Sequence, residues 1–383
     1  MKELLLITTR LPWPLTSGFS NKNYQLIKGL SSKYSIVLCV IQRKKVSDED
    51  LMQVSHFCKE VKVFHPTFFD IFVGFFRSLL LEMPIQFGLF FSLRALNFIK
   101  KRIDKTDNVL CSVIRSTQYI DKAHLALPVY DLADSLGQVY LRNANKCSGI
   151  MKYIYLEEGR RMLKYEKKIV EAGGMIHFFN QTEAEFYNSS NVKVVQYGVR
   201  PELLESFDAN KDFFDGVVIF GRMSFQPNED AVIWFAENVL EYLPSNIKLY
   251  AVGADPSKKL INFSKGNKRV IVTNYISDPY PAIKGAIASL APIRYGGGIQ
   301  TKVLEALAIG SICLVSPLAA KGMPDINRSG VMICNKPSDW IETIVKISNN
   351  RTKYNQQSEN GKIYVQKYFS WQAYIKSTLK SLS

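Results

Sequence analysis

The sharpest chemical signal is PIRYGGGIQTKVLEALAIG at positions 292–310, where Gly296, Gly297 and Gly298 run into a segment carrying Lys302 and Glu305 before Gly310 closes it. Glycine backbone lets N–H groups approach an anion without Cβ interference, and the free N–H groups of a helix start add about half a positive charge. Lys302 falls in the first turn of that helix, where a cation opposes the helix dipole unless an anionic ligand stands nearby. Thr301 either caps the helix or donates to the same ligand. Glu305, three residues after Lys302, projects from a similar face and can accept two sugar hydroxyl hydrogens, as acidic residues do on ribose in dinucleotide sites. Val303, Leu304 and Leu307 supply the apolar stripe. The pattern is that of a diphosphate site followed by a ribose site. The same spacing also describes an exposed helical ion pair worth about 0.2–0.5 kcal/mol, and the residues alone leave both open.

Other candidates stand at the ends of apolar runs. Gly18, in LPWPLTSGFSNKNYQL, follows the first run and precedes a helix, as a second close backbone approach or as a turn punctuated by Pro12, Pro14 and Gly18 itself. Gly221 and Arg222 close the run GVVIF, and an arginine fork there suits two phosphate oxygens at once, although arginines are common at strand ends. Arg115 in SVIRSTQY, with Asp131 and Asp134 in YDLADS, are candidate catalytic polar groups of the first half. Asp134 equally fits a helix cap for SLGQVYLRN, and Asp131 an ion pair with a neighbouring base.

These residues need strands and helices to hold them. ELLLITT, SIVLCVI, NVLCSVI, LPVYDLA and GMIHFFN alternate with helical segments, and the rhythm restarts at GVVIFGRM. β-rich runs separated by helices imply parallel sheets covered on both faces. The chain has 383 residues, which suits two domains. The expectation is an α/β protein of two doubly wound, Rossmann-like domains facing across a cleft: residues 1–200, residues 201–365, and a terminal helix at 366–383 packed back on the first. In NQTEAEFY, Thr182 and Glu185 have capping-box spacing for a helix start.

Composition excludes several classes. With 47% hydrophobic and 22% charged residues the chain is that of a globular protein rather than a disordered or fibrous one. Six scattered cysteines without a CxxC pair read as buried free thiols of a reducing compartment, and four scattered histidines give a zinc site little support. The surplus of bases is uneven, 28 against 18 acids in positions 1–200 and 21 against 16 beyond. A basic front half attracts polyanions, among them phosphorylated metabolites and anionic lipid. Nucleic acid is not expected as a partner, since basic clusters such as KRIDK and KYEKK are interleaved with acids and no reader motif is visible. The N-terminus reads as a first strand rather than a secretory signal. The stretch 68–102 is rich in Phe and Leu but interrupted by Asp70, Arg77, Glu82 and Arg94, so it falls short of the ~20 apolar residues of a spanning helix. It reads either as core or as an interfacial helix with Phe72, Phe75, Phe76, Leu79 and Leu80 on one face and Arg77, Arg94, Lys100, Lys101 and Arg102 beside it.

Taken in order, RLPWPLTSGFSNKNYQL, GVVIFGRMSFQPNEDAVIWF, LYAVGADP, VIVTNYISD and LAPIRYGGGIQTKVLEALAIGSICLVS resemble the family 4 glycosyltransferases, retaining, nucleotide-sugar-dependent enzymes of the GT-B fold. The resemblance implies that Tyr275 and Ile276 hold the donor base, Glu305 the ribose, and Arg222 with the loop from Gly296 to Lys302 the diphosphate, while Gly18 lets a first-domain loop close over the phosphate. It implies no protein nucleophile, since the leaving phosphate helps to deprotonate the acceptor on the same face. Two positions depart from the family pattern: the first glutamate of its E-x7-E pair is Gly297, and the lysine expected five residues after Arg222 is Pro227. The glycine-rich variant resembles a branch that builds surface polysaccharides, with Lys302 standing in for the missing cation. No DxD motif is present, so the expectation is no cofactor and no metal. The expected partners are a nucleotide-sugar donor, a saccharide or lipid-linked saccharide acceptor and an anionic membrane surface, for a cytoplasmic protein peripheral on the inner face of the cytoplasmic membrane. A nucleotide-sugar epimerase of the same two-domain design is the competing enzyme class.

Overall fold

The structure, a computed structural model, describes residues 1–15, 17–145, 147–295 and 300–383. It divides into two compact units, one formed by Met1–Tyr197 with Tyr374–Ser383 and the other by Gly198–Ala373.

The first unit is a seven-stranded parallel sheet. Its strands are β1 (Lys2–Thr8), β2 (Tyr34–Ile41), β3 (Glu60–Phe64), β4 (Asn108–Ser112), β5 (Val129–Ala133), β6 (Met175–Phe178) and β7 (Val192–Val194). They lie in the order β3-β2-β1-β4-β5-β6-β7. The helices are α1 (Gly18–Leu30), α2 (Asp48–Ser55), α3 (Phe68–Leu80), α4 (Leu93–Ile103), α5 (Leu136–Ala144), α6 (Gly149–Glu171) and α7 (Gln181–Glu185). The central strands are apolar on both faces because helices cover both: Leu4 to Ile7 and Ile36 to Ile41 are wholly buried.

The second unit repeats the plan with six parallel strands, β8 (Gly216–Phe220), β9 (Lys248–Val252), β10 (Val270–Val272), β11 (Ser289–Ala291), β12 (Cys313–Val315) and β13 (Met332–Ile333), in the order β10-β9-β8-β11-β12-β13. Its helices are α8 (Gln226–Asn238), α9 (Lys258–Gly266), α10 (Tyr280–Gly285), α11 (Thr301–Ala308), α12 (Pro317–Ala320), α13 (Pro337–Asn349) and α14 (Asn355–Tyr368). Two apolar clusters, one on each face of this sheet, form its core.

A last helix, α15 (Trp371–Leu382), begins in the second unit and ends in the first. Within the first unit its Tyr374 hydroxyl donates to Asp131 at 2.6 Å, and its Leu382 carbonyl accepts from Asn108 Nδ2 at 2.6 Å. A Cβ on Gly29 would strike Ile375, so α1 accepts this helix only where it carries glycine. Asp131 is wholly buried and also takes the ammonium of Lys22 at 2.5 Å, which makes it an ion-paired structural group.

Local chemistry corrects one start signal. The cap of α7 is Asn180, whose side chain accepts from the Thr182 amide at 2.9 Å, so the helix begins one residue before Thr182. The Asx turn satisfies the first orphan amides better than the hydroxyl three residues from Glu185.

Candidate functional site

Each sheet reverses its strand order once, between β1 and β4 in the first unit and between β8 and β11 in the second. In open parallel sheets such a reversal leaves a crevice at the carboxyl ends of the two strands, where ligands bind. Gly18, Arg115, Arg222 and the segment from Thr301 to Glu305 follow strands of these two reversals, whereas Asp134 follows β5 and Tyr275 and Ile276 follow β10.

In the second unit, β8 leads into Gly221 and Arg222, and β11 to Arg294 and Tyr295. Gly221 has a φ of 129°, and Gly253 at the end of β9 has a φ of 154°. A Cβ on Gly253 would lie 1.8 Å from the Gly221 carbonyl oxygen, so the two strand ends meet through backbone alone. Arg222 is exposed and pairs with Asp255 at 3.0 Å, a contact that an incoming phosphate can replace at little cost because exposed pairs are worth about 0–1 kcal/mol. Gly296, Gly297 and Gly298 lie outside the described residues. The segment entering them is tethered to α8, with Arg294 forked onto Asp230 at 2.9 and 2.5 Å and the Tyr295 hydroxyl donating to the Gln226 carbonyl at 3.2 Å.

Beyond that loop, α11 starts at Thr301, which is exposed. Its N-cap is Gln300, with no side-chain cap bond; Thr301 is therefore the first helical residue and not the cap. Lys302 is 9% exposed, and among the described residues its one hydrogen bond is to a neutral group, the Oδ1 of Asn228, at 2.6 Å. Asn228 in turn donates from Nδ2 to the Arg222 carbonyl at 2.8 Å, joining Lys302 to the end of β8. The ammonium of Lys302 thus reaches the first turn of α8, one residue from Pro227. Burial pulls its pKa down to about 8.

Glu305 and Lys302 do not pair among the described residues. The Tyr280 hydroxyl donates to the Glu305 carboxylate, and Arg200 donates to that hydroxyl while its guanidinium stands 5.1 Å from the Tyr280 ring centroid. Burial pushes the Glu305 carboxyl upward, and Arg200 and Tyr280 oppose it. Asn228, Arg200 and Tyr280 were invisible as site residues in the sequence; they lie 74, 105 and 25 positions from the residues they hold. Past β10, Tyr275 is 73% exposed, a free ring able to stack, while Ile276 is half-buried against the core. A cavity of about 610 Å³ between the far ends of α8 and α9, lined by Glu237, Asn262 and Arg269 among others, contains none of these groups.

In the first unit, Gly18 opens α1 past the end of β1, and Ser17 caps it by accepting from the Ser20 amide at 3.1 Å. A Cβ on Gly18 would meet nothing within 4 Å, so the space beside this helix start is open. Arg115 does not end β4; it sits three residues on, in a 3-10 helix at Ile114–Tyr119. Its Nε donates to Gln86 Oε1 at 2.6 Å and its guanidinium stands 5.1 Å from the Phe90 centroid. Asp134 follows β5 directly, and Ser135, not Asp134, caps α5. Burial and the neighbouring Glu183 push the Asp134 carboxyl upward against Lys22 and Arg142. Behind it Glu166, buried and pushed up to about 7, accepts from the Ser135 and Tyr187 hydroxyls at 3.0 and 2.5 Å.

Residues 215–350, which contain every described donor-site candidate of the second unit except Arg200, match the family model described as glycosyl transferases group 1. The chain is a glycosyltransferase of the GT-B fold. Solved structures agree on the fold over the whole glycosyltransferase. Anabaena Alr3699/HepE in complex with UDP is 10% identical with a TM-score of 0.62, covering 99% of each chain, and the same protein is solved with UDP-glucose. TarM is 10% identical at a TM-score of 0.64, covering 100% of this chain and 99% of its own. WaaG, a glycosyltransferase involved in lipopolysaccharide biosynthesis, is 12% identical at 0.56, covering 97% and 98%. At such identities the likeness speaks for the fold alone. No curated protein matches the glycosyltransferase.

Proposed function

We propose that this glycosyltransferase moves a sugar, with retention of anomeric configuration, from a nucleotide-sugar donor to a saccharide or lipid-linked saccharide acceptor in surface polysaccharide biosynthesis. The observation that carries the donor reading is Lys302: an ammonium held almost out of water on a neutral amide, at a helix start beside the end of β8. A buried cation without a counter-charge is costly, and a diphosphate supplies that charge. Transfer requires stabilising the departing diphosphate while positive character builds at the anomeric carbon. Lys302, the amides at the start of α11 and Arg222 are aimed at the first task. Lys302 also stands beside Pro227, which supports its replacing the lysine that the family carries there.

Glu305 takes the ribose hydroxyls. The Tyr280 hydroxyl occupies part of one carboxylate oxygen, and Arg200 with Tyr280 opposes the upward push of burial on the carboxyl, so the remaining lone pairs serve as acceptors. Tyr275 and Ile276 flank the base. Retention leaves the acceptor proton to the departing phosphate, so Arg115 and Asp134 act as acceptor-side polar groups rather than nucleophiles. The reaction runs without a divalent ion, the fixed cations and helix amides filling that role. UDP and UDP-glucose in the HepE structures make a uridine nucleotide sugar the first donor to try, and the involvement of WaaG in lipopolysaccharide biosynthesis supports a surface-polysaccharide product.

A thermal-shift screen against UDP-, GDP- and other nucleotide-linked sugars tests the donor, since a ligand selective for the native state raises apparent stability in proportion to its affinity. One class is expected to raise Tm, and Glu305→Ala to remove the rise; an unchanged rise in that variant means that the ribose sits elsewhere. NMR of the product anomer reads retention, and turnover that survives EDTA reads metal independence. Conversion of donor alone to a free epimer would instead establish the epimerase reading.

A further inference from the structure

We propose that α3 is a docking helix whose phenylalanine face inserts into the surface of an anionic lipid bilayer. The helix is built inside out. Its buried positions are Asp70, Gly74 and Ser78, while Phe68, Phe72 and Leu80 are 89%, 60% and 81% exposed and Phe69, Phe76 and Leu79 more than half exposed. Positions 68, 72, 76, 79 and 80 recur at helical spacing, so these side chains form one continuous apolar strip. The Phe72 and Phe76 rings pack on each other with centroids 4.7 Å apart.

The register is fixed, so the strip cannot roll inward. A Cβ on Gly74 would lie 2.6 Å from the Phe91 Cβ and 2.9 Å from the Gly88 Cα, and only a glycine fits that contact. Asp70 closes a capping box with Thr67 and accepts from the Leu93 amide at 2.9 Å. Any rotation that buried the phenylalanines would break both. A contiguous exposed apolar face on a folded chain marks an interaction surface.

Charge selects the occupant. Between Phe68 and Leu81 the one acid is Asp70, and it is buried. Arg77 turns inward, stacked over Phe91 at 5.2 Å with its Nη2 donating to the Gln118 carbonyl at 3.0 Å, and Arg102 is taken by Glu3 and Glu60, so neither borders the strip as the sequence suggested. The bases come instead from α6, which passes the end of α3: Arg161 donates to the Ser78 and Met83 carbonyls at 3.4 and 3.3 Å. α6 carries six bases against four acids, of which Glu158 and Glu166 are buried; Arg160 and Arg161 share Glu157 and Lys164 pairs with Glu82, which still leaves a surplus of base, and the first two turns expose Ile150, Met151, Tyr153 and Ile154 beside Lys152. Apolar insertion beside excess base complements acyl chains under anionic headgroups, whereas a second copy would bring base against base. No helix among the described residues is long and apolar enough to cross a membrane, so the contact is superficial.

The test is sedimentation of the full chain with phosphatidylglycerol-containing vesicles and with pure phosphatidylcholine vesicles. We expect binding to the first, at least about tenfold weaker binding to the second, and a further loss of about tenfold in Phe72→Glu/Phe76→Glu. The melting temperature and the donor-induced thermal shift of that variant should match the wild type, which separates docking from the donor reading. Should the double variant unfold, Phe68→Asp at the solvent-facing first turn is expected to weaken binding about threefold. Equal binding to both vesicles, no binding, or an undiminished partition in the folded variants overturns the proposal. So does a lipid-free dimer that the substitutions dissolve.

Discussion

Two helices of this chain break the burial rule in opposite senses. α11 draws a lysine and half a glutamate out of water, while α3 leaves its phenylalanines in it and buries an aspartate, a glycine and a serine. In each case the local geometry enforces the inversion. Asn228 fixes the ammonium of Lys302 from across the sheet, and Gly74 against Gly88 and Phe91 fixes the roll of α3. An inverted side chain costs stability, so each marks a place where the folded chain is incomplete without something else. On the readings proposed above, what completes α11 is anionic and small, and what completes α3 is apolar and extended.

Lys302→Met should break the contrast most severely. Removing one preorganised donor to a developing charge costs about 100- to 1,000-fold in turnover. Stability should move the other way: lowering a lysine from its ordinary 10.5 to about 8 corresponds to about 3 kcal/mol of burial cost. The methionine variant is therefore expected to melt no lower than the wild type without ligand while losing activity. A lower melting temperature would mean that Lys302 is structural. Glu305→Gln comes next, with donor KM rising about 10- to 100-fold from loss of a charged hydrogen bond. A 2′-deoxyribose donor should already bind weakly to the wild type and no more weakly to this variant; additive losses would remove Glu305 from the ribose.

The pH dependence of Lys302 sharpens the same point. Below about pH 8 the lysine is charged in both folded and unfolded chains, and the folded state carries the burial cost. From pH 8 towards its ordinary value the folded chain sheds the proton while the unfolded chain keeps it, so stability without ligand rises over that window. Nucleoside diphosphate affinity should run oppositely, flat below pH 8 and weakening by about tenfold per unit above it, as the cation is lost. Calorimetric titration between pH 6.5 and 9.5 reads both the affinity and the proton uptake.

Much of the fold was legible because its strands are short apolar runs with both faces buried, such as Leu4–Ile7 and Val217–Ile219. Three of the four edge strands were not. β3 and β7 are only half-buried, and β13 is two residues long, so hydrophobic run length carries no signal there. In the site, Lys302 and Glu305 were legible because helix start, glycine and charge fall together in one stretch. Their holders were not, because Asn228, Arg200 and Tyr280 meet them only after the sheet has brought distant loops to one end. Arg77 shows the converse failure: beside the α3 strip in sequence, it folds inward onto Phe91 and Gln118.

The smallest effects discriminate within α3 itself. Gly74→Ala adds one methyl where backbone atoms of Gly88 already stand at 2.9 Å, and overpacking of this kind costs about 1–3 kcal/mol. Phe72→Ser removes a whole ring from the opposite face and should change stability by less than about 0.5 kcal/mol, because an exposed side chain leaves no cavity. Chemical denaturation of the two variants compares them directly. A methyl outweighing a phenyl ring is the result an inside-out helix requires, since its energetic core is the glycine contact and its aromatic face awaits a surface outside the chain. If Phe72→Ser proved the more destabilising, the ring would already be packed in solution and the comparison with α11 would fail at its apolar end.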